Sequence, residues 1–163
     1  MAGIPILRTP ILPEWIDYNG HLRDAYYGLI FSQSTDALMD RIGLDAPYRA
    51  GTGCTLYTVE MHLHYLQEVK AADTAEVTLR ILGLDAKRIH VALELARSGR
   101  EGVAASAEVM LLHVRQHEGT VSTAPFPAAI AAALAVLKQQ SAARPAQAPG
   151  SRRMELRAAP RPS

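Results

Sequence analysis

Between residues 24 and 42, Tyr27, Ile30, Phe31, Ser34, Leu38 and Ile42 recur at three- and four-residue steps, and Gly43 follows. That spacing predicts one long helix with a single inward face and a glycine stop. The period then changes to two. From residue 54 to 69, Tyr57, Val59, Met61, Leu63 and Tyr65 alternate with Thr58, Glu60, His62 and His64, as along a strand with one apolar and one polar face. Three more strands are predicted over 74–82, 88–96 and 103–115, separated by turn residues at 83–85 and 98–102. A short extended piece over 9–16, interrupted by Pro10 and Pro13, suits a sheet edge. A second helix, rich in Ala and Leu, opens at Pro127 and runs to residue 140. The order is strand, long helix, four long strands, helix, which is an α+β layout with an antiparallel sheet wrapped around one long central helix.

Composition narrows this picture without changing it. At 163 residues and 48% hydrophobic content the chain has material for one core. Residues 1–141 are read as the folded domain. Residues 142–163, rich in Pro, Ala and Arg, are read as a flexible tail that cannot repay its ordering entropy. The tail holds five arginines against Glu155 alone, so the first 141 residues are mildly acidic. An acidic domain argues against nucleic acid as a partner. No apolar run approaches the roughly 18 residues of a membrane span, and no leader is read at the start. The lone Cys54 cannot form an internal disulfide, which fits a reducing cytoplasm.

Candidate chemistry gathers just before the long helix. Asp17, Asn19 and His21 place a carboxylate, an amide and an imidazole at i, i+2 and i+4. Such a set can hold a water and polarise a carbonyl, as ester or thioester hydrolysis requires; the same residues also make an ordinary polar turn ahead of a helix. Glu60, His62 and His64 share a strand face but lack a further ligand at a recognisable spacing, so they read as a polar outer face with no metal. Cys54 has no basic neighbour in sequence and reads as a buried thiol. Trp15, Tyr18, Tyr26, Tyr27 and Tyr65 are aromatic faces able to attract a quaternary ammonium group.

The segment from Glu14 to His21 resembles the Asp-x-Asn-x-His segment of hotdog-fold acyl-CoA thioesterases. The strings at 57–60, 64–69 and 82–88, with His90, are similar to the thioesterases of carnitine and betaine breakdown, including the module fused to some carnitine dehydrogenases. Leu22 and Arg23, and Ala92 and Leu93, depart from those relatives. The resemblance implies the hotdog fold, with Asp17 activating water or attacking the thioester, Asn19 orienting, and His21 relaying a proton. Glu68 resembles the additional acidic residue of plant-type acyl carrier protein thioesterases. Trp15, Tyr18, Gly20, Tyr26 and Tyr65 are then the substrate-binding residues.

The acyl oxygen is expected to meet free backbone N–H groups near residues 22–26 at the helix start. The resemblance further implies a homo-oligomer, a dimer or a dimer of dimers, that hydrolyses a small acyl-CoA without a cofactor. An enoyl-CoA hydratase of the same fold and a non-catalytic acyl-CoA-binding protein are the alternatives, since one fold hosts several chemistries.

Overall fold

The computed structural model describes residues 3–142. The residues read as a tail lie outside the described ones, except Ala142. The elements are β1 (Ile4–Pro10), a 3-10 turn (Pro13–Trp15), α1 (Asp24–Ile42), α2 (Ala46–Thr52), β2 (Cys54–Tyr65), β3 (Thr74–Leu84), β4 (Arg88–Arg97), β5 (Val103–His117), β6 (Thr120–Thr123) and α3 (Ala128–Ala142). The main strands form one antiparallel sheet in the order β1-β3-β4-β5-β2, and β6 extends β5 beyond the end of β4.

α1 buries Tyr27, Ile30, Phe31, Ser34, Thr35, Leu38, Met39 and Ile42, the inward set that its periodicity predicts with two additions. The two aliphatic hydroxyls on this face do not go unpaired. Ser34 donates to the Ile30 carbonyl at 2.8 Å and Thr35 to that of Phe31 at 3.3 Å. Gly43, at φ 86°, takes the left-handed conformation that ends the helix, and its N–H donates to the carbonyls of Asp40 and Met39. Leu79, Leu93, Val109 and Leu111 on the sheet meet this face in one core, each contributing about 1.5 to 3 kcal/mol of burial.

Three sequence expectations are corrected. The first strand lies earlier, at Ile4–Pro10, because Pro13 opens a 3-10 turn instead of continuing an extended run. β2 stops at Tyr65, so Glu68 stands in the following loop. Within β2 the predicted faces also fail, because Val59 is an extra residue between the pairs Thr58–Leu111 and Glu60–Met110. This bulge switches the inward parity from Cys54 and Leu56 to Met61 and Leu63, and leaves Tyr57 and Val59 exposed. Glu60, His62 and His64 remain together on the outer face. There His62 pairs with Glu60 at 3.0 Å, and among the described residues no group of three side chains could hold a metal ion.

The two sheet edges differ. β1 carries Pro5 and Pro10, and the Pro5 carbonyl is taken by Arg41 at 3.1 Å. β2 presents 12 residues with no proline.

Candidate active site

The turn from Asp17 to His21 is closed by its own backbone. The Asp17 N–H donates to the His21 carbonyl at 2.8 Å and the Gly20 N–H to that of Asp17 at 3.1 Å. Gly20 makes this closure with φ 81°, a conformation that costs glycine little. The Asp17 Oδ1 accepts the N–H groups of Asn19 at 2.8 Å and His21 at 3.1 Å. Among the described residues, Oδ2 accepts none. The His21 N–H, above all, holds the carboxylate below its ordinary range; partial desolvation opposes this, while the Asn19 N–H and the charges of His21 and Arg23 assist. Asp17 is therefore ionised at neutral pH.

Strand pairing brings the β2–β3 loop against this turn. The Leu22 N–H donates to the Val69 carbonyl at 2.7 Å, and His21 forms a bridge with Lys70. Glu68 is thereby set beside His21, with Nε2 and Oε2 3.2 Å apart, and Lys70 stands 3.6 Å from the same oxygen. With Glu68 61% exposed the pair is worth at most about 1 kcal/mol. It orients the imidazole more than it stabilises the fold.

These groups share a cleft of about 470 Å³ lined by Asp17, His21, Leu22, Arg23, Asp24, Tyr27, Tyr65, Leu66, Gln67 and Glu68. That size is ample for a small acyl group. The rings of Tyr27 and Tyr65 meet edge to face at 5.1 Å, and the Tyr65 hydroxyl donates to the Asp24 carbonyl at 3.3 Å. Burial raises the proton affinity of both phenols, so they stay neutral.

Five of the residues singled out in the sequence, Asp17, His21, Tyr27, Tyr65 and Glu68, line this cleft together. Asn19 lies outside the lining and reaches Asp17 through its backbone. Trp15 is buried and stacks on Tyr26 at 5.4 Å, beneath the turn. Tyr18 is 95% exposed at the turn's tip.

The expected cluster of free N–H groups over 22–26 narrows to one. Leu22 donates to Val69, Arg23 to Trp15, Ala25 to the Asp24 side chain and Tyr26 to Arg23. Among the described residues the Asp24 N–H has no acceptor, and it opens a 19-residue helix. Leu66 and Gln67 carried no local sequence signal, because only the tertiary contacts bring them to the turn.

A model of the thioesterase-like superfamily matches residues 11–134. The betainyl-CoA thioesterase of Pseudomonas aeruginosa is 47% identical over 137 residues, covering 84% of this chain and 85% of that protein. The L-carnitine dehydrogenase/betainyl-CoA thioesterase of Agrobacterium fabrum is 46% identical over 100 residues, which are 61% of this chain and 20% of that longer protein. A crystal structure from Pseudomonas putida KT2440 superposes with a TM-score of 0.81 at 43% identity, covering 97% of this chain and 99% of that one. The chain belongs to the thioesterase-like superfamily, with the hotdog α+β fold. It is a thioester hydrolase.

Proposed function

We propose that this acyl-CoA thioesterase hydrolyses betainyl-CoA to betaine and free CoA, at a site shared by two copies of the chain. One observation carries the chemistry: an ionised carboxylate, Asp17, and an unpartnered helix N-terminal N–H, Asp24, border the same cleft. Both amide donors sit on the Asp17 Oδ1, so among the described residues Oδ2 is the oxygen left to attack the thioester carbonyl directly. The carbonyl oxygen gains negative charge as the C–O bond forms, and the Asp24 N–H at the positive end of α1 stabilises it. Collapse breaks the C–S bond and releases the CoA thiolate. Water then hydrolyses the acyl-aspartyl anhydride, with His21, oriented by Glu68, taking its proton.

The other residues of the turn act through Asp17. Gly20 and the Asn19 N–H set its rotamer, and the Trp15–Tyr26 stack supports the turn from beneath. Tyr18 stands outside the cleft, where the CoA portion or the second copy can reach it. Arg23 on the rim offers a cation to the phosphates of CoA.

In betainyl-CoA a single methylene separates the trimethylammonium group from the reacting carbonyl. On this reading the carbonyl oxygen meets the Asp24 N–H and the cation occupies the part of the same cleft lined by Tyr27 and Tyr65. Two aromatic faces contribute about 0.5 to 2 kcal/mol each, and the carboxylates of Asp17, Asp24 and Glu68 add attraction. The test is a thiol-release assay comparing betainyl-CoA with 3,3-dimethylbutyryl-CoA, its uncharged isostere, and with acetyl-, medium-chain and aryl-CoA. We expect kcat/KM for betainyl-CoA to exceed that for the isostere by at least about tenfold. Equal values for the two esters would reject the cationic substrate and leave the hydrolase.

Pairing through β2 is supported by the contrast between the edges. β1 is blunted by proline, whereas β2 runs for 12 residues without one, exposes Val59 at its bulge, and ends at Tyr65 in the cleft. Two β2 strands running antiparallel join the sheets and set each cleft beside the neighbouring copy. Sedimentation equilibrium should give twice the chain mass or a higher even multiple, and a fully active monomer would end this part of the reading. A CoA ester as substrate fits a cytoplasmic enzyme.

A further inference from the structure

We infer that Arg97, at the end of β4, is a positioning residue that fixes Glu68 against His21. This rests on the reading of the Asp17, His21 and Glu68 cleft as the hydrolytic site. Glu68 lies past the end of β2, and among the described residues its own N–H has no acceptor. Its carbonyl is held by one group, the Arg97 Nη1, at 2.9 Å. The other arm of the same guanidinium, Nη2, donates to the Gln67 side-chain carbonyl. One rigid fork therefore grips two consecutive residues of the cleft wall.

The exposed ion pairs of Glu68 with His21 and Lys70 are too weak to fix a loop. Position has to come from the backbone, and Arg97 supplies it at this residue. The neighbours are tied elsewhere: Leu66 and Gln67 donate their N–H groups to the Ala104 carbonyl at 2.9 and 3.0 Å, and the Val69 carbonyl takes the Leu22 N–H. Gly102 leaves the room, since a Cβ there would meet the Gln67 amide at 2.7 Å. The Arg97 side chain is half-buried, and its charge acts on the Tyr27 phenol, which lines the same cleft. The guanidinium thus stands behind the wall without belonging to the lining.

A double-mutant cycle separates positioning from simple support of the fold. Arg97→Met keeps the apolar stem and removes the fork. With betainyl-CoA and acetyl-CoA as probes, we expect kcat to fall roughly 10- to 100-fold, as misplacement of a reacting group does, with KM changed less than about threefold. Glu68→Gln should cause a loss of similar size, and the double variant should be no worse than about threefold below the weaker single, because both act on one group. Arg97→Lys, which retains one donor, should recover part of the loss. Losses that multiply, or wild-type turnover in folded Arg97→Met, would overturn the inference. If Arg97→Met unfolds, Gln67→Ala frees one arm of the fork at an exposed position and enters the same cycle with Glu68→Gln, judged by the same criterion. The two readings fail differently: unchanged turnover in Asp17→Asn removes the site itself, whereas a loss there combined with multiplying effects at 97 and 68 removes the role of Arg97 alone.

Discussion

Asp17→Asn is expected to fold like the parent protein and to lose at least about a hundredfold in kcat/KM for thioester hydrolysis. The substitution is close to isosteric. An amide oxygen at the Oδ1 position still accepts the Asn19 and His21 N–H groups that shape the turn, so the geometry survives while the negative charge is lost. Thermal unfolding beside thiol release distinguishes the two effects, and near-parental turnover in a folded variant would remove Asp17 from the mechanism. The pH dependence follows from the same contacts. Because the His21 N–H, with the Asn19 N–H and the nearby His21 and Arg23 side chains, depresses the Asp17 proton affinity below the ordinary 3.8 despite partial desolvation, the carboxylate stays charged as pH falls to that range. Any acidic limb of activity between pH 5 and 8 therefore belongs to another group. In Asp17→Asn that limb should persist, scaled down, in whatever activity remains.

How much of this was legible in the sequence depends on how local each determinant is. α1 could be read because its inward face repeats every three or four residues and a glycine closes it, and those are properties of one segment. The Asp17–His21 turn could be read for the same reason. β2 could not be read to its detail. Alternation from Tyr57 to Tyr65 looks like one uninterrupted face, yet the extra residue at Val59 reverses the parity halfway, and only pairing with β5 reveals it. β1 was displaced toward the prolines because a fixed φ suits an edge strand and the start of a 3-10 turn equally.

α2 was missed although Asp45 accepts the Tyr48 N–H and Pro47 stands in its first turn, since seven residues are too few to show a period. At the site, Glu68 was proposed from resemblance alone. Nothing near it in sequence points to His21, 47 positions away. The count of free N–H groups is smaller than expected because the Val69 and Trp15 carbonyls arrive only with the fold, while the Asp24 side chain and the Arg23 carbonyl take the N–H groups of Ala25 and Tyr26 locally.

That narrowing gives the sharpest test of the helix terminus. Asp24→Pro is expected to lower kcat roughly 100- to 1000-fold, the loss typical of removing one oxyanion donor, while leaving the fold intact. Proline deletes the N–H and nothing else in the backbone. The Asp24 N–H makes no internal bond to lose, the first helical position is the one where proline is favoured, and Arg23 before it already has the extended conformation, φ −62° and ψ 142°, that a following proline demands. The carbonyl that receives the Tyr65 hydroxyl is retained. Asp24→Ala supplies the control, because it removes the same carboxylate but keeps the N–H. Its effect on acetyl-CoA should stay within about tenfold, the scale of one exposed charge near a cleft. Stability within about 1 kcal/mol of the parent for Asp24→Pro, read by chemical denaturation, is the condition for interpreting the kinetics. If Asp24→Pro is as active as Asp24→Ala, the developing oxyanion is stabilised elsewhere, and the start of α1 serves only to place the turn.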